Sequence, residues 1–181
     1  TQRPSQLRAR LRGIYFGVEG DSSAVKKAER LVEDLGGRVV IIPKELKPLY
    51  HVACVFASNY MMVFLNTISE LTRLLQLHAS WAEVFGPLMT ATMENAVNAP
   101  AATSLTGPII RGDRATIDLH LNALSESAPQ FLPLYLVSGI ELARVAKHHA
   151  RISQEELDDL LARFRLFLKT HPISTLSKVK N

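Results

Sequence analysis

The chain has a single cysteine, Cys54, among 181 residues. No internal disulfide can form, and a reducing compartment such as the cytoplasm fits. Histidines are few and badly spaced for a metal: His148 and His149 are adjacent, and His78, His120 and His171 are scattered. No metal site is expected. There is no G-x-G-x-x-G and no G-x-x-x-x-G-K, so no phosphate-cradling loop of either kind. Gly13, Gly17 and Gly20 have the wrong spacing and read as strand-end turns. Charge of one sign is also scarce, with a formal net of +4 and 21% charged residues. Arg3, Arg8, Arg10 and Arg12, with Lys178 and Lys180, read as solvated ends. No aromatic-basic platform accompanies them, so no nucleic-acid partner is expected. The apolar run from Val52 to Leu65 is interrupted by Ser58 and Asn59 and closed by Asn66, so it reads as a buried helix and no membrane role is expected. No leader pattern opens the chain, which begins Thr1-Gln2-Arg3-Pro4 without Met and reads as part of something longer.

With 47% hydrophobic residues the chain can bury a core. Residues 13–19 read as a strand, Asp21 and Ser22 as N-cap candidates, and 23–35 as a helix through Val25, Ala28, Leu31, Val32 and Leu35. Gly36-Gly37 stops that helix, and Arg38–Ile42 reads as a second strand ended by Pro43. This β-α-β unit implies two parallel strands. Two such strands are no stable sheet alone, so residues 1–44 read as the remnant that closes a larger Rossmann-like parallel sheet. After Pro43 everything reads as helix: about 47–77, 80–95, 113–127, 129–149 and 154–169, with a loop at 96–112. Ser153 and Glu156 spell a capping box for the last helix. The fold class is mostly α, an all-helical domain over 45–181 behind the β-α-β remnant.

The helix from Lys47 carries a polar stripe. At 100° per residue, Lys47, His51, Ser58, Asn59 and Asn66 fall within roughly a 120° sector. Polar groups in a core need partners or a cavity, so this helix is the candidate wall of an active site. His51 is the candidate proton carrier, Lys47 an oxyanion stabiliser or acid/base, and Ser58 and Asn59 substrate-orienting groups. The bland readings are a core histidine, a solvated lysine and helix–helix hydrogen bonds. Asn66 reads as packing, and Cys54 as a buried, inert thiol. Trp81, Phe85 and Met89 recur at helical spacing as core. A second constellation, Leu105–Asp113, combines a Gly-Pro turn at 107–108 with Arg111, a planar fork for carboxylate or phosphate, and Asp113 at a helix start. Here the alternative is an ordinary loop with an N-cap Asp and a locally paired Arg.

Leu49-Tyr50-His51-Val52-Ala53 with Phe56-Ala57-Ser58-Asn59-Tyr60, and Leu105-Thr106-Gly107-Pro108-Ile109 with Arg111-Gly112-Asp113, resemble signatures of Rossmann-like proteins that carry a domain of unknown function 2520. The resemblance covers about 13–125. It implies an NADP-dependent oxidoreductase of the wider 6-phosphogluconate dehydrogenase-like group, with a dinucleotide domain followed by a helical domain that shapes the substrate cleft and often dimerises. In that group a Lys and an Asn four residues later commonly serve catalysis. Here His51 stands four residues after Lys47, and Asn59 comes later, which centres the site on His51. NADP or NAD would be bound mainly by an N-terminal domain absent from this chain.

The resulting expectation is the C-terminal portion of an NAD(P)-dependent oxidoreductase acting on a small, anionic substrate. His51, Lys47 and Asn59 are its catalytic candidates, and Ser58, Thr106, Arg111 and Asp113 would bind substrate. The Thr106–Asp113 loop is expected to fold back toward the first helix of the helical domain. Five helices around an apolar central one, with little sheet to cover it, predict a homodimer. The alternative is a non-catalytic helical module for dimerisation or small-ligand sensing.

Overall fold

The computed structural model describes residues 11–171, with the side chains of Ala101 and Ala102 excepted. Arg3, Arg8, Arg10, Lys178 and Lys180 lie outside the described residues. The chain divides into two compact units, Thr1–Phe64 and Leu65–Asn181.

The first unit is built on β1 (Tyr15–Val18), α1 (Ser22–Asp34) and β2 (Arg38–Ile41). The strands pair in parallel, with Tyr15 opposite Arg38 and Val18 opposite Ile41. Asp21 starts α1 by accepting the backbone N–H groups of Ser23 and Ala24, both at 2.8 Å. Gly36, at φ +77°, ends it, since left-handed backbone at that stop suits glycine. Gly37 and Gly17 are packing glycines. A Cβ on Gly37 would come within 2.4 Å of the Phe16 ring, and one on Gly17 within 2.9 Å of Tyr50. Gly17 therefore sits inside β1 to let an aromatic ring approach, not at a strand-end turn.

A single 3-10 turn, Lys44–Leu46, leads into α2 (Lys47–Cys54), a π-helical turn Val55–Asn59, and α3 (Tyr60–Leu74). Within the wide turn the Tyr60 N–H reaches back to the Val55 carbonyl, five residues away. This helix is not the buried core element its composition suggests. Leu49, Phe56 and Met62 are each more than 60% exposed, and Asn66 faces water. The physical reason is coverage: within the first unit the described sheet has two strands, too few to cover the helix's apolar surface. By length and composition the segment Lys44–Leu74 is long and apolar enough to cross a membrane, with mean hydropathy 1.4 over its apolar window.

The second unit continues with α4 (Trp81–Asn98), the short α5 (Ala101–Ser104), α6 (Arg114–Ser127), α7 (Leu132–His148) and α8 (Gln154–Thr170). Ser80 with Glu83 and Ser153 with Glu156 form capping boxes for α4 and α8. The segment 96–112 is less of a loop than its composition suggests, because α4 runs on to Asn98 and α5 follows. Trp81, Phe85 and Met89 are half-buried, while Leu88 and Val97 of α4 are exposed. The core lies further on, where Ile109, Ile110, Ile117, Leu121, Leu136 and Phe164 pack together from the 107–112 turns and α6–α8. Gly139 lets α7 approach α8: a Cβ there would stand 3.1 Å from the Phe164 ring.

Candidate functional site

In the first unit an open cleft of about 630 Å³ lies at the carboxyl ends of both strands. Glu19, directly after β1, and Lys44, three residues after β2, form one side; Lys47, Tyr50, His51 and Cys54 of α2 form the other. The four helical residues recur at i, i+3, i+4 and i+7, which is one face of an α-helix. Glu19 Oε2 is out of contact with water and meets the Lys47 ammonium at 2.8 Å. The contact is an ion pair without hydrogen-bond alignment. With Lys47 two-thirds exposed, its energy is small, and its effect is to hold the ammonium over the cleft.

His51 is exposed and has no hydrogen-bond partner among the described residues, so both ring nitrogens are open to a ligand. Cys54 is exposed, which overturns the expectation of a buried thiol. It stands one turn after Tyr50 on the cleft face of α2. The neighbouring Cys54 sulfur, first through its charge and then through hydrogen bonding, raises the Tyr50 phenol above its ordinary pKa. Tyr50 is therefore a neutral hydrogen-bonding group at physiological pH.

The structure brings Lys47 and His51 to this cleft and leaves Ser58 and Asn59 outside its lining. Both stand in the π-helical turn, exposed. Sequence reasoning missed Glu19, Lys44 and Tyr50. The rule that ligands meet open α/β sheets at the carboxyl ends of strands would have flagged the first two.

The second constellation is a tight structure of its own. Gly107 (φ +102°) and Gly112 (φ +62°) bracket turns in which the Asp113 N–H donates to the Pro108 carbonyl at 2.9 Å. Ile109 and Ile110 anchor these turns in the core, and Arg111 projects exposed between them and α6. Asp113 caps α6: its carboxylate accepts the Thr116 hydroxyl at 2.7 Å and the Thr116 N–H at 3.1 Å. Thr106 is exposed. A cavity of about 160 Å³ opens beside Arg111, also lined by Arg114, Glu156, Asp159 and Arg163.

The Thr116 hydroxyl, then its N–H, holds the Asp113 carboxyl below its ordinary value of 3.8; Arg111 and His120 add smaller effects. A depressed folded pKa contributes stability that is present above the unfolded pKa and lost as pH falls through the folded one. Thr116→Val should therefore lower the thermal midpoint at pH 7, and the deficit should shrink as pH drops below about 4. Paired melting curves at pH 7 and pH 2.5 check this. An unchanged deficit at low pH would count against the cap as its source.

The resemblance to dinucleotide enzymes can be tested on these residues. A bound pyrophosphate would sit at the N-terminus of a helix that follows a parallel strand. Among the described residues only α1 follows one directly, and the Asp21 carboxylate already occupies its first free N–H groups. That negative charge also repels phosphate. The N-terminus of α1 is therefore not a dinucleotide cradle.

Residues 14–141 match the family described as a domain of unknown function, DUF2520, and the chain belongs to that family. Among solved structures, it is similar to protein TM1727 from Thermotoga maritima. The TM-score is 0.63 at 25% identity, over 83% of this chain and 58% of that one. The present chain thus spans little more than half the length of that relative. No functionally curated protein matches it.

Proposed function

We propose that this chain is the C-terminal portion of an NAD(P)-dependent oxidoreductase of 6-phosphogluconate dehydrogenase-like architecture, acting on a small anionic substrate. The observation that carries the reading is the cleft at the carboxyl ends of β1 and β2, faced by Lys47 and His51. Tyr15 and Ile41, each about 60% exposed on the two-stranded sheet, suit a sheet that continues into further strands. Because Asp21 closes the N-terminus of α1, NADP or NAD would be held by segments outside this chain.

Within the cleft, His51 would exchange the proton of a carbonyl or alcohol, as an imidazole near neutrality does. The Lys47 ammonium, tethered by Glu19, would stabilise negative charge on the reacting oxygen. Tyr50, kept protonated beside Cys54, adds a neutral donor. Asn59 and Ser58 are candidates for a part of the substrate reached from the wide turn.

The exposed apolar surface of α2 and α3 is proposed as the centre of a homodimer interface. Ser58, Asn59 and Asn66 are spaced along it, and such groups are costly against lipid, which favours a protein partner over a bilayer.

A thermal-shift screen of small anionic metabolites on full-length protein with NADP present tests the reading. A hit should turn over with the cofactor, and His51→Gln should slow that turnover by about 10²–10⁴-fold. Undiminished turnover in that variant would remove His51 from the chemistry. A screen in which NADP itself produces no shift would favour a non-catalytic dimerisation or ligand-sensing module.

A further inference from the structure

The turn motif around Arg111 is not absorbed by the cleft of the first unit, and its surroundings have a chemistry of their own. Three guanidinium groups, Arg111, Arg114 and Arg163, line the cavity in the second unit, against two carboxylates, Glu156 and Asp159. Both carboxylates are committed. Asp159 pairs with Arg114 at 2.9 Å, and Glu156 accepts the Ser153 N–H at 2.6 Å within the α8 capping box. Neither is engaged with Arg111, which has no hydrogen-bond or ion-pair partner among the described residues.

Arg163 lines the same cavity from α8. Its Nη1 donates to Asp118, on the neighbouring α6, which holds the guanidinium at the cavity wall. Arginine forks match the geometry of phosphate and carboxylate oxygens. The cavity also has a suitable size. About 160 Å³ is close to the volume of roughly 150 Å³ that admits a benzene-sized molecule, so a phosphate or short carboxylate fits.

We infer that this cavity is a binding site for a small oxyanion, the phosphate or carboxylate group of a metabolite or the free ion, held by Arg111 and Arg163 with Arg114 beside them. The turns that anchor Ile109 and Ile110 in the core fix the backbone that carries Arg111 beside the cavity. The inference is independent of the oxidoreductase reading, because its readout is anion binding without cofactor or turnover.

The test is titration of the full chain with inorganic phosphate and, separately, acetate, each against potassium chloride at matched ionic strength. Calorimetry and the thermal midpoint are both followed. At least one of the two anions should bind saturably and raise the midpoint beyond the chloride control, and the better one identifies the group recognised. Arg111→Gln, a change at an exposed side chain, should leave the helical circular dichroism intact and weaken that binding at least about tenfold. Arg163→Lys, which keeps the charge but removes the planar fork, should weaken it as well. Neither anion exceeding chloride would overturn the site, as would an Arg111→Gln protein that binds with unchanged affinity.

Discussion

Replacing Phe164 with alanine is expected to lower the unfolding free energy of the second unit by about 3–5 kcal/mol. The ring is 1% exposed and lies where α8 meets α7. It covers the space a Cβ would fill at Gly139, and it sits 6.4 Å from the Tyr135 ring. Nothing else in the core can fill that volume, because Gly139 has no side chain and Leu136 and Leu160 are already buried. Such a loss is a large share of the roughly 5–15 kcal/mol that holds a domain together. Denaturant titration of the full chain, followed by helical circular dichroism, measures it. A loss below about 1 kcal/mol would mean that the α7–α8 contact is not the keystone of this core.

Lysine in place of Met62 should convert the proposed homodimer into monomers, raising the dissociation constant by at least about 10²-fold. A charge left unpaired in an apolar interface costs about 3–5 kcal/mol, and each 1.4 kcal/mol is a factor of ten. Met62 is 61% exposed in the single chain and Phe56 equally so, with Phe56 packed edge-on against Tyr60. Exposure of that order on successive turns leaves an apolar patch of the kind that marks an interaction surface. Sedimentation at micromolar concentration should show a dimer for the unaltered chain and for Met62→Leu, and a monomer for Met62→Lys. An unaltered chain that is already monomeric would defeat the assembly, and one that also associates with neutral lipid vesicles would hand the surface to a bilayer.

The β-α-β unit and the long helices were legible because their signals are local. Asp21 caps, Gly36 stops, Pro43 breaks, and Ser153 with Glu156 writes its own helix start. The burial of the apolar helix was not legible in the same way. Periodicity says which face is apolar, while burial depends on what covers that face, and the two strands between residues 15 and 41 cannot. The same holds for Cys54, whose apolar neighbours imply a core, while among the described residues it stands exposed. Arg163 escaped because a charged residue on an amphipathic helix reads as solvated. Only the packing of α8 beside α6 places it near Arg111, 52 positions earlier in the chain. Glu19 was hidden for a related reason, since its pairing with Lys47 is made by the crossing of strand and helix.

The wide turn at Val55–Asn59 has the effect of one extra residue slipped into a screw thread. A wider turn advances each residue by less than the usual 100°, so every position after it falls out of phase with those before. The polar stripe along the whole helix therefore joins two stretches that do not share a bearing. Lys47 and His51 belong to the first stretch and Met62 and Phe64 to the second, and each stretch can be tuned without turning the other. Deleting one residue from the wide turn would restore an ordinary thread and leave the later stretch on nearly its present bearing, because the wide turn already takes up one residue without adding its rotation, so a one-residue gap among relatives here would be absorbed without turning either face.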